Sequence, residues 1–108
     1  MAMVTELNEA DFQSEVIESP IPVLVDFWSE QCQTCKNLMP VLGQLAEDLA
    51  GRAKVVKMDA FANMRLASGF GIRSVPNLLF FKNGEVKDQF VGANITKDQL
   101  KARLEALM

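Results

Sequence analysis

Histidine and tyrosine are both absent from this chain of 108 residues, which contains one tryptophan and two cysteines. Without histidine, the chain lacks the commonest general base and the commonest zinc ligand. The same absence excludes serine–histidine and cysteine–histidine catalytic pairs. Catalysis by either of those nucleophile pairs is therefore not expected.

Positive charge is also scarce, since 11 lysines and arginines stand against 14 aspartates and glutamates, for a net charge of −3. A nucleic-acid-binding chain needs a basic stripe that displaces counterions from phosphates. No apolar run approaches the length of a membrane span. We therefore expect neither a nucleic acid nor a membrane as a partner.

A targeting signal is lacking in the first residues. Residues 1–6 contain no basic region followed by an apolar run, so they do not resemble a secretory signal peptide. The expected location is the cytoplasm, where structural disulfides are rare. Two cysteines in that compartment are more typical of catalysis or metal binding.

The length predicts a single domain over residues 1–108, because a chain of this size buries enough surface to fold alone. Helical and strand periodicities alternate in the order α-β-α-β-α-β-β-α, with a short edge strand near Met3–Glu6. This order predicts an α/β fold. Its central mixed β-sheet is parallel at first, ends in an antiparallel hairpin and has helices on both faces.

Local signals place the individual elements. The predicted strands are Val23–Trp28, Lys54–Asp59, Asn77–Lys82 and Glu85–Val91. Asn83-Gly84 is a strong hairpin signal between the last two strands. Asn8 caps a first helix, and Pro40 is expected to kink the helix after the first long strand. A short helix is predicted at Met64–Ser68. A capping box at Thr96–Gln99 opens the last helix. The residues expected to be buried on that helix are Leu100, Leu104 and Leu107.

The two cysteines form the motif Cys32-Gln33-Thr34-Cys35, directly after a predicted central strand and at the start of a predicted helix. Residues three apart on a helix have side-chain roots about 5–6 Å apart, close to the span of a disulfide. Unpaired N–H groups and the helix dipole stabilise a thiolate at Cys32. Cys35 falls on the apolar stripe. The pattern predicts Cys32 as the exposed attacking thiol and Cys35 as the buried resolving thiol.

Two other interpretations of the cysteine pair remain open. A structural disulfide closing a ring of four residues removes little conformational entropy from the unfolded chain, on the order of 2 kcal/mol at best. A zinc site needs four nitrogen or sulfur ligands, so two chains would have to pool their thiols.

Asp26 is an acid inside the first long apolar run. Its side chain points to the same face as Trp28, and both faces of a central parallel strand are covered. A carboxylate there is costly unless it is protonated or paired. Lys57, in the next buried-looking strand, pairs with Asp26 if the two strands are neighbours. The two residues are then either an ion pair without chemistry or part of a proton acceptor for Cys35.

The whole set of motifs resembles the thioredoxin family, over essentially the entire chain. The set in this order is far more specific than a Cys-x-x-Cys alone. The residues that carry the resemblance are Asp26-Phe27-Trp28, Cys32, Cys35, Lys36, Pro40, Lys57, Gly71-Ile72-Arg73, Val75-Pro76, Lys82-Asn83-Gly84 and Gly92.

The resemblance implies the thioredoxin fold and a role for each matched position. Cys32 is then the nucleophile and Cys35 the resolving thiol, and the two form a redox-active disulfide. Asp26 is the buried acid–base group, with Lys57 as its partner. Pro76 is expected in the cis form, facing the dithiol. The implied partner-binding surface comprises Trp28, Gln33, Thr34, Val75, Pro76, Gly92 and Ala93.

The sequence departs from the family pattern where partners are expected to bind. The departures are Gln31, Gln33 and Thr34 for Trp, Gly and Pro, Phe61 for an acid, and Asn77 for Thr. Because Thr34 is able to donate toward the Cys32 sulfur, we expect a weaker reductant than the family norm, at roughly −260 to −200 mV against about −270 mV. Phe61 is expected to be exposed near the dithiol.

The expected function is reduction of protein disulfides by a thiol–disulfide oxidoreductase that is a monomer and holds no cofactor or metal. The chain has no nucleotide-binding motif, so a flavoprotein of the thioredoxin-reductase type is expected to return it to the dithiol form. One alternative is a more oxidising disulfide isomerase or specialised electron carrier. The other is a non-catalytic docking or metal-binding module on the same fold.

Overall fold

Five strands form one sheet in the computed structural model, which describes residues 4–108. They are β1 (Thr5–Glu6), β2 (Val23–Trp28), β3 (Lys54–Asp59), β4 (Asn77–Lys82) and β5 (Glu85–Val91). The four longer strands have the bounds that the sequence predicts. The short edge strand is also confirmed as β1, although Met3 lies outside the described residues.

The strand order is β1-β3-β2-β4-β5, so β2 is the central strand. β3 runs parallel to both β1 and β2, whereas β4 runs antiparallel to both β2 and β5. The predicted mixed sheet is therefore confirmed. All six side chains of β2 are buried, as expected for a strand with helices over both faces.

Helices pack on both faces of the sheet. They are α1 (Glu9–Phe12), which continues as a π-helical segment (Gln13–Ile17), α2 (Gln33–Asp48), α3 (Met64–Gly69) and α4 (Lys97–Glu105). α1 and α3 share an apolar cluster with one sheet face, and α2 and α4 share a second cluster with the other. Val25 and Phe27 belong to the first cluster and Leu24 to the second. Asp26 therefore lies on the face that α2 and α4 cover.

Side-chain caps decide where two of the helices begin. The Asn8 side chain accepts a hydrogen bond from the Ala10 N–H at 3.1 Å, and the Asp11 carboxylate accepts from the Asn8 N–H at 3.2 Å. Thr96 and Gln99 form the predicted capping box of α4 through bonds of 2.9 and 3.1 Å. The predicted start of each helix is confirmed, because these side chains satisfy N–H groups that the helix itself leaves unpaired.

Two details of the helices differ from the prediction. The first helix widens into a π-helical turn, closed by a bond from the Glu18 N–H to the Gln13 carbonyl, and this turn buries Val16 completely. The expected burial of Leu107 on the last helix is wrong. α4 ends at Glu105, so Leu107 lies beyond the helix and is only half-buried.

The turn between β4 and β5 requires its glycine. Asn83 and Gly84 have φ angles of 54° and 78°, as a tight two-residue hairpin turn demands. A Cβ atom on Gly84 would lie 3.1 Å from the carbonyl oxygen of Ile17. Glycine therefore serves both the turn and the close approach of the first helix.

α2 carries the cysteine pair at its start and is 16 residues long. It continues through Pro40, whose missing N–H leaves one bond of the helix unmade. The kink expected at Pro40 stays a prediction. Within residues 4–108, no helix has both the length and the apolar character needed to cross a membrane.

Candidate active site

The cysteine pair lies between the end of β2 and the first turn of α2. Cys32 is the N-cap of α2, and its sulfur accepts a hydrogen bond from the Cys35 N–H at 3.2 Å. The Cys32 N–H donates to the Ser29 carbonyl oxygen at 3.1 Å, which anchors the loop from β2. The Cys32 sulfur therefore lies at the positive end of the helix dipole, where a thiolate is stabilised.

The two sulfurs form a disulfide, and the Cα atoms are 5.2 Å apart. Cys35 has no exposed surface, whereas Cys32 is half-buried. Cys35 belongs to the buried stripe of α2, which continues with Leu38, Leu42 and Leu45. Of the two sulfur atoms, solvent therefore reaches that of Cys32.

The two residues between the cysteines make different contacts. The Thr34 hydroxyl oxygen lies 3.4 Å from the Cys32 sulfur. A disulfide sulfur carries no hydrogen, so the hydroxyl is the donor in this contact. The Gln33 side chain donates to the Asn37 side-chain oxygen at 2.9 Å instead. Thr34 is therefore the residue between the cysteines whose side chain contacts the sulfur, as the sequence suggests.

Asp26 is fully buried. Neither of its carboxylate oxygens has a hydrogen-bond partner among residues 4–108. Burial raises the pKa of Asp26 from its usual 3.8 to about 7, and the positive charge of Lys57 opposes that rise. The group is therefore poised to gain or lose a proton near neutral pH, which suits an acid–base role.

Lys57 is the direct cross-strand neighbour of Asp26, because β2 and β3 pair in register at these positions. The predicted adjacency of the two strands is confirmed. The ammonium does not form a hydrogen-bonded ion pair with Asp26, however. It lies over the Trp28 indole, 4.8 Å from the ring centroid, in a cation–π contact. Lys57 therefore lowers the pKa of Asp26 by the attraction of its charge and not by a hydrogen bond.

Glu6 holds Trp28 from a second side and was not predicted as a site residue. The indole N–H of Trp28 donates to a Glu6 carboxylate oxygen at 3.2 Å. Glu6 lies on β1 and is registered opposite Lys57. Only the pairing of the edge strand with β3 could have revealed this contact, and a strand of two residues carries no periodicity from which to read its register.

The peptide bond between Val75 and Pro76 is cis, as the resemblance implies. The Gly92 N–H donates to the Pro76 carbonyl oxygen at 2.8 Å. This bond brings Gly92, whose φ angle is 104°, next to the cis-proline. Pro76 is buried, whereas Val75 and Gly92 are half-buried.

Two surface cavities are lined by residues of the predicted partner-binding surface. The first, of about 260 Å³, has Thr34 and Ala93 in its wall. The second, of about 150 Å³, is named here the Phe61 groove and has Phe61, Met64, Arg73 and Val75 in its wall. Phe61 and Met64 are 64% and 62% exposed. The predicted exposure of Phe61 is confirmed, and the groove joins it to the residue before the cis-proline.

Asn77, which stands where the family usually has threonine, is used inside the fold. Its side chain is buried, accepts a hydrogen bond from the Gln89 amide at 2.8 Å and donates to the Ser74 carbonyl oxygen. Asn77 therefore links β4 to β5 through its side chain, which accounts for this departure from the family pattern.

The sequence itself matches known proteins over nearly its full length. The thioredoxin family model matches residues 3–106. The chain belongs to the thioredoxin family. A thioredoxin of Haemophilus influenzae is 47% identical over 100 residues, which cover 93% of this chain and 92% of that protein. Thioredoxin 1 of a Nostoc species is 40% identical over 105 residues, 97% of each chain.

Thioredoxin-family membership and the Cys32–Cys35 disulfide point to the same reaction. The protein is a thiol–disulfide oxidoreductase of the thioredoxin type and reduces disulfides through this cysteine pair. The fold is the thioredoxin fold that the resemblance implies. A docking or metal-binding module without catalysis is not favoured by these findings.

Replacing Asp26 with asparagine is expected to stabilise the oxidised protein at and above neutral pH. In the folded parent Asp26 keeps its proton up to about pH 7, whereas an unfolded aspartate loses it near pH 4. The folded state therefore binds more protons between these values. It follows that the free energy of unfolding of the parent falls as the pH rises from about 4 to about 7, by on the order of 4 kcal/mol.

Urea unfolding of the parent and of Asp26→Asn at a series of pH values measures this difference. The variant should lack the fall, so its advantage grows with pH and levels off above about pH 7. Glu47→Gln, at an exposed acid on α2, serves as the control and should follow the parent. A parent and Asp26→Asn pair with the same pH dependence would contradict the raised pKa.

Proposed function

We propose that Cys32 is the nucleophile and Cys35 the resolving thiol of this disulfide reductase. The observation that carries the proposal is the geometry at the start of α2, where the half-buried Cys32 sulfur accepts the Cys35 N–H and the Cys35 side chain is fully buried. A partner's disulfide has access to the first sulfur, and the second is reserved for the intramolecular step.

The proposed reaction transfers two electrons to a partner protein. The Cys32 thiolate attacks one sulfur of the partner's disulfide, an S–S bond forms between the two proteins, and the partner's other sulfur leaves as a thiolate that takes up a proton. Cys35 then attacks the Cys32 sulfur. The partner's first sulfur leaves, is protonated to a thiol, and the Cys32–Cys35 disulfide remains.

Asp26 is the proposed acid–base group for the second step. Cys35 must lose its proton before it attacks, and a thiol buried in apolar surroundings gives up its proton reluctantly. Asp26 lies on the sheet face that α2 covers and has a pKa of about 7. Its ionised form takes the Cys35 proton, and the charge of Lys57 favours that ionised form.

The proposed partners are proteins that contain disulfides, bound at a surface around the cysteine pair. This surface comprises Gln33, Thr34, Val75, Gly92 and Ala93, together with the Phe61 groove. Trp28 and Pro76 belong to the same proposed site, and their side chains are buried. The oxidised protein then needs two electrons from a separate donor, for which we propose a flavoprotein of the thioredoxin-reductase type. We further propose a cytoplasmic monomer that transfers electrons to proteins and maintains cell redox homeostasis, because a reducing compartment keeps the dithiol form available.

Cysteine substitutions test the assigned roles. Cys32→Ser is expected to abolish reduction of insulin disulfides with dithiothreitol as electron donor, because the attacking sulfur is gone. Cys35→Ser is expected to retain the first attack and to accumulate a mixed disulfide with the partner, which mass spectrometry detects. In the reduced parent, brief iodoacetamide treatment near neutral pH should label Cys32 alone. Preferential labelling of Cys35 would reverse the assignment.

The Thr34 hydroxyl is expected to make the protein a weaker reductant. A hydroxyl that donates to the Cys32 thiolate stabilises the reduced form and so raises the reduction potential. Thr34→Val keeps the shape of the side chain and removes the donor, so its potential should fall by about 10 to 30 mV.

Equilibration against glutathione buffers, followed by Trp28 fluorescence, measures this potential. Gln33→Ala is the matched control, because the Gln33 side chain bonds to Asn37 and not to the sulfur, and its potential should equal that of the parent. A Thr34→Val potential at or above the parent value would show that the hydroxyl does not act on the thiolate.

The Phe61 groove is expected to contribute to recognition of protein partners. Phe61→Ser removes a large exposed apolar contact, so kcat/KM for a protein disulfide such as that of insulin should fall about three- to tenfold. The rate with oxidised glutathione, a small disulfide without a protein surface to dock, should stay unchanged. Val86→Ser, at an exposed apolar position on β5, is the control. Equal losses with both substrates would place Phe61 in the reaction and not in partner recognition.

A further inference from the structure

Three charged residues form a row across one face of the sheet. Glu6 on β1 is registered opposite Lys57 on β3, and Lys57 is registered opposite Asp26 on β2. In the register of the sheet, Lys57 therefore lies between two acidic residues. Their surroundings differ, since Asp26 is fully buried, Lys57 is half-buried and Glu6 is exposed.

Trp28 connects the members of this row. Its indole N–H donates to the Glu6 carboxylate at 3.2 Å, and its ring faces the Lys57 ammonium at 4.8 Å. The side chain therefore extends from β2 across β3 toward the edge strand. A carboxylate acceptor makes the first contact a charge-assisted hydrogen bond, which is stronger than a bond between neutral groups.

The Lys57 ammonium lies away from the residue that its strand pairs it with. The ammonium lies at the indole, although its strand places it next to Asp26, and the Asp26 oxygens have no hydrogen-bond partner among the described residues. The Trp28 indole therefore connects Glu6, which bonds to its N–H, with Lys57, which lies against its ring.

We propose that Glu6 is a positioning residue, which fixes the Trp28 indole by a hydrogen bond and thereby keeps the Lys57 ammonium at the indole and away from Asp26. The expected effect of Glu6 on turnover rests on the acid–base role proposed for Asp26. The expected effect of Glu6 on the pKa of Asp26 is independent of that role.

Besides Lys57 and Glu6, this face of the sheet carries Asp59 on β3, whose side-chain oxygen accepts the N–H groups of residues 61 and 62 in the following turn. Lys82 on β4 and Glu85 and Asp88 on β5 share the face by strand alternation. On the other side of Asp26, β4 places the uncharged Leu78. Glu6 is therefore the carboxylate registered against Lys57 from the edge of the sheet.

The helices over this face carry further titratable and charged groups, and none of them is changed in the variants tested. α2 brings Cys35, which does not titrate while it is in the disulfide. α4 brings Arg103, whose guanidinium is bonded to Asp88 at 3.1 Å. A comparison made in the oxidised protein therefore isolates Lys57 and Glu6 as the groups whose charge or position the test changes.

Loss of the Glu6 hydrogen bond is expected to lower the pKa of Asp26. The indole is then no longer fixed toward the edge strand, so the Lys57 ammonium is free to approach Asp26 and to favour its ionised form. Lys57 is the charge that acts on the pKa of Asp26, so a variant that keeps the hydrogen bond should keep that pKa.

The test titrates Asp26 in the oxidised full chain by carboxyl-carbon NMR and measures acrylamide quenching of Trp28, the single tryptophan. Glu6→Gln keeps an acceptor oxygen for the indole, so both the quenching and the titration midpoint should stay close to the parent values. Glu6→Ala removes that acceptor, so the midpoint should fall by about 0.5 to 1 pH unit and the quenching should rise. Glu9→Gln, which removes an exposed charge from α1, should change neither.

The proposal is overturned by an Asp26 midpoint in Glu6→Ala that is equal to or above that of the parent, or by unchanged Trp28 quenching in Glu6→Ala. It is also overturned if the midpoint falls as far in Glu6→Gln as in Glu6→Ala, because the charge and not the hydrogen bond would then be responsible. In turnover assays the acidic limb of the pH profile should move with the midpoint. If Asp26→Asn leaves turnover unaltered, the acid–base role of Asp26 fails, and the NMR titration still decides whether Glu6 acts as proposed.

Discussion

Both faces of the central strand β2 are covered, so every side chain on it is buried, including a carboxylate. The loss of solvent at Asp26 raises its pKa to about 7. Its oxygens have no hydrogen-bond partner within residues 4–108, at a cost to stability that an apolar residue would avoid. The same strand ends four residues before Cys32 and so places the reactive sulfurs at the start of α2. Burial of one strand thus determines both the acid and the position of the cysteine pair.

The parts of the fold that depend on local signals were predictable from the sequence. β2 is an apolar run with one acid in it and β4 has an apolar run at its centre. Asn83 and Gly84 supply a turn with two positive φ angles, and Thr96 and Gln99 cap a helix through reciprocal bonds. The spacing of Cys32 and Cys35 after a buried strand also indicated which sulfur is exposed. The cis form of the Val75–Pro76 bond came from the family resemblance alone, because no local composition demands it.

The parts that depend on contacts between distant segments were not predictable. Glu6 reaches Trp28 only because β1 pairs with β3. A strand of two residues is too short for its sequence pattern to predict its register. The position of the Lys57 ammonium over the indole was not predictable either. The adjacency of the two strands suggested a direct pair with Asp26, but the ammonium contacts the Trp28 ring instead. The widened turn that buries Val16 likewise depends on packing and not on periodicity.

The unequal exposure of the two sulfurs has a consequence for oxidative damage. A peroxide arriving from solvent meets Cys32, and the first product on a thiolate is a sulfenic acid. The Cα atoms of Cys32 and Cys35 are 5.2 Å apart, so the sheltered thiol is close enough to condense with the sulfenic acid, expel water and form the ordinary disulfide. Irreversible over-oxidation to sulfinic acid then has to compete with a neighbouring sulfur, and the same cycle that serves catalysis returns the site to use.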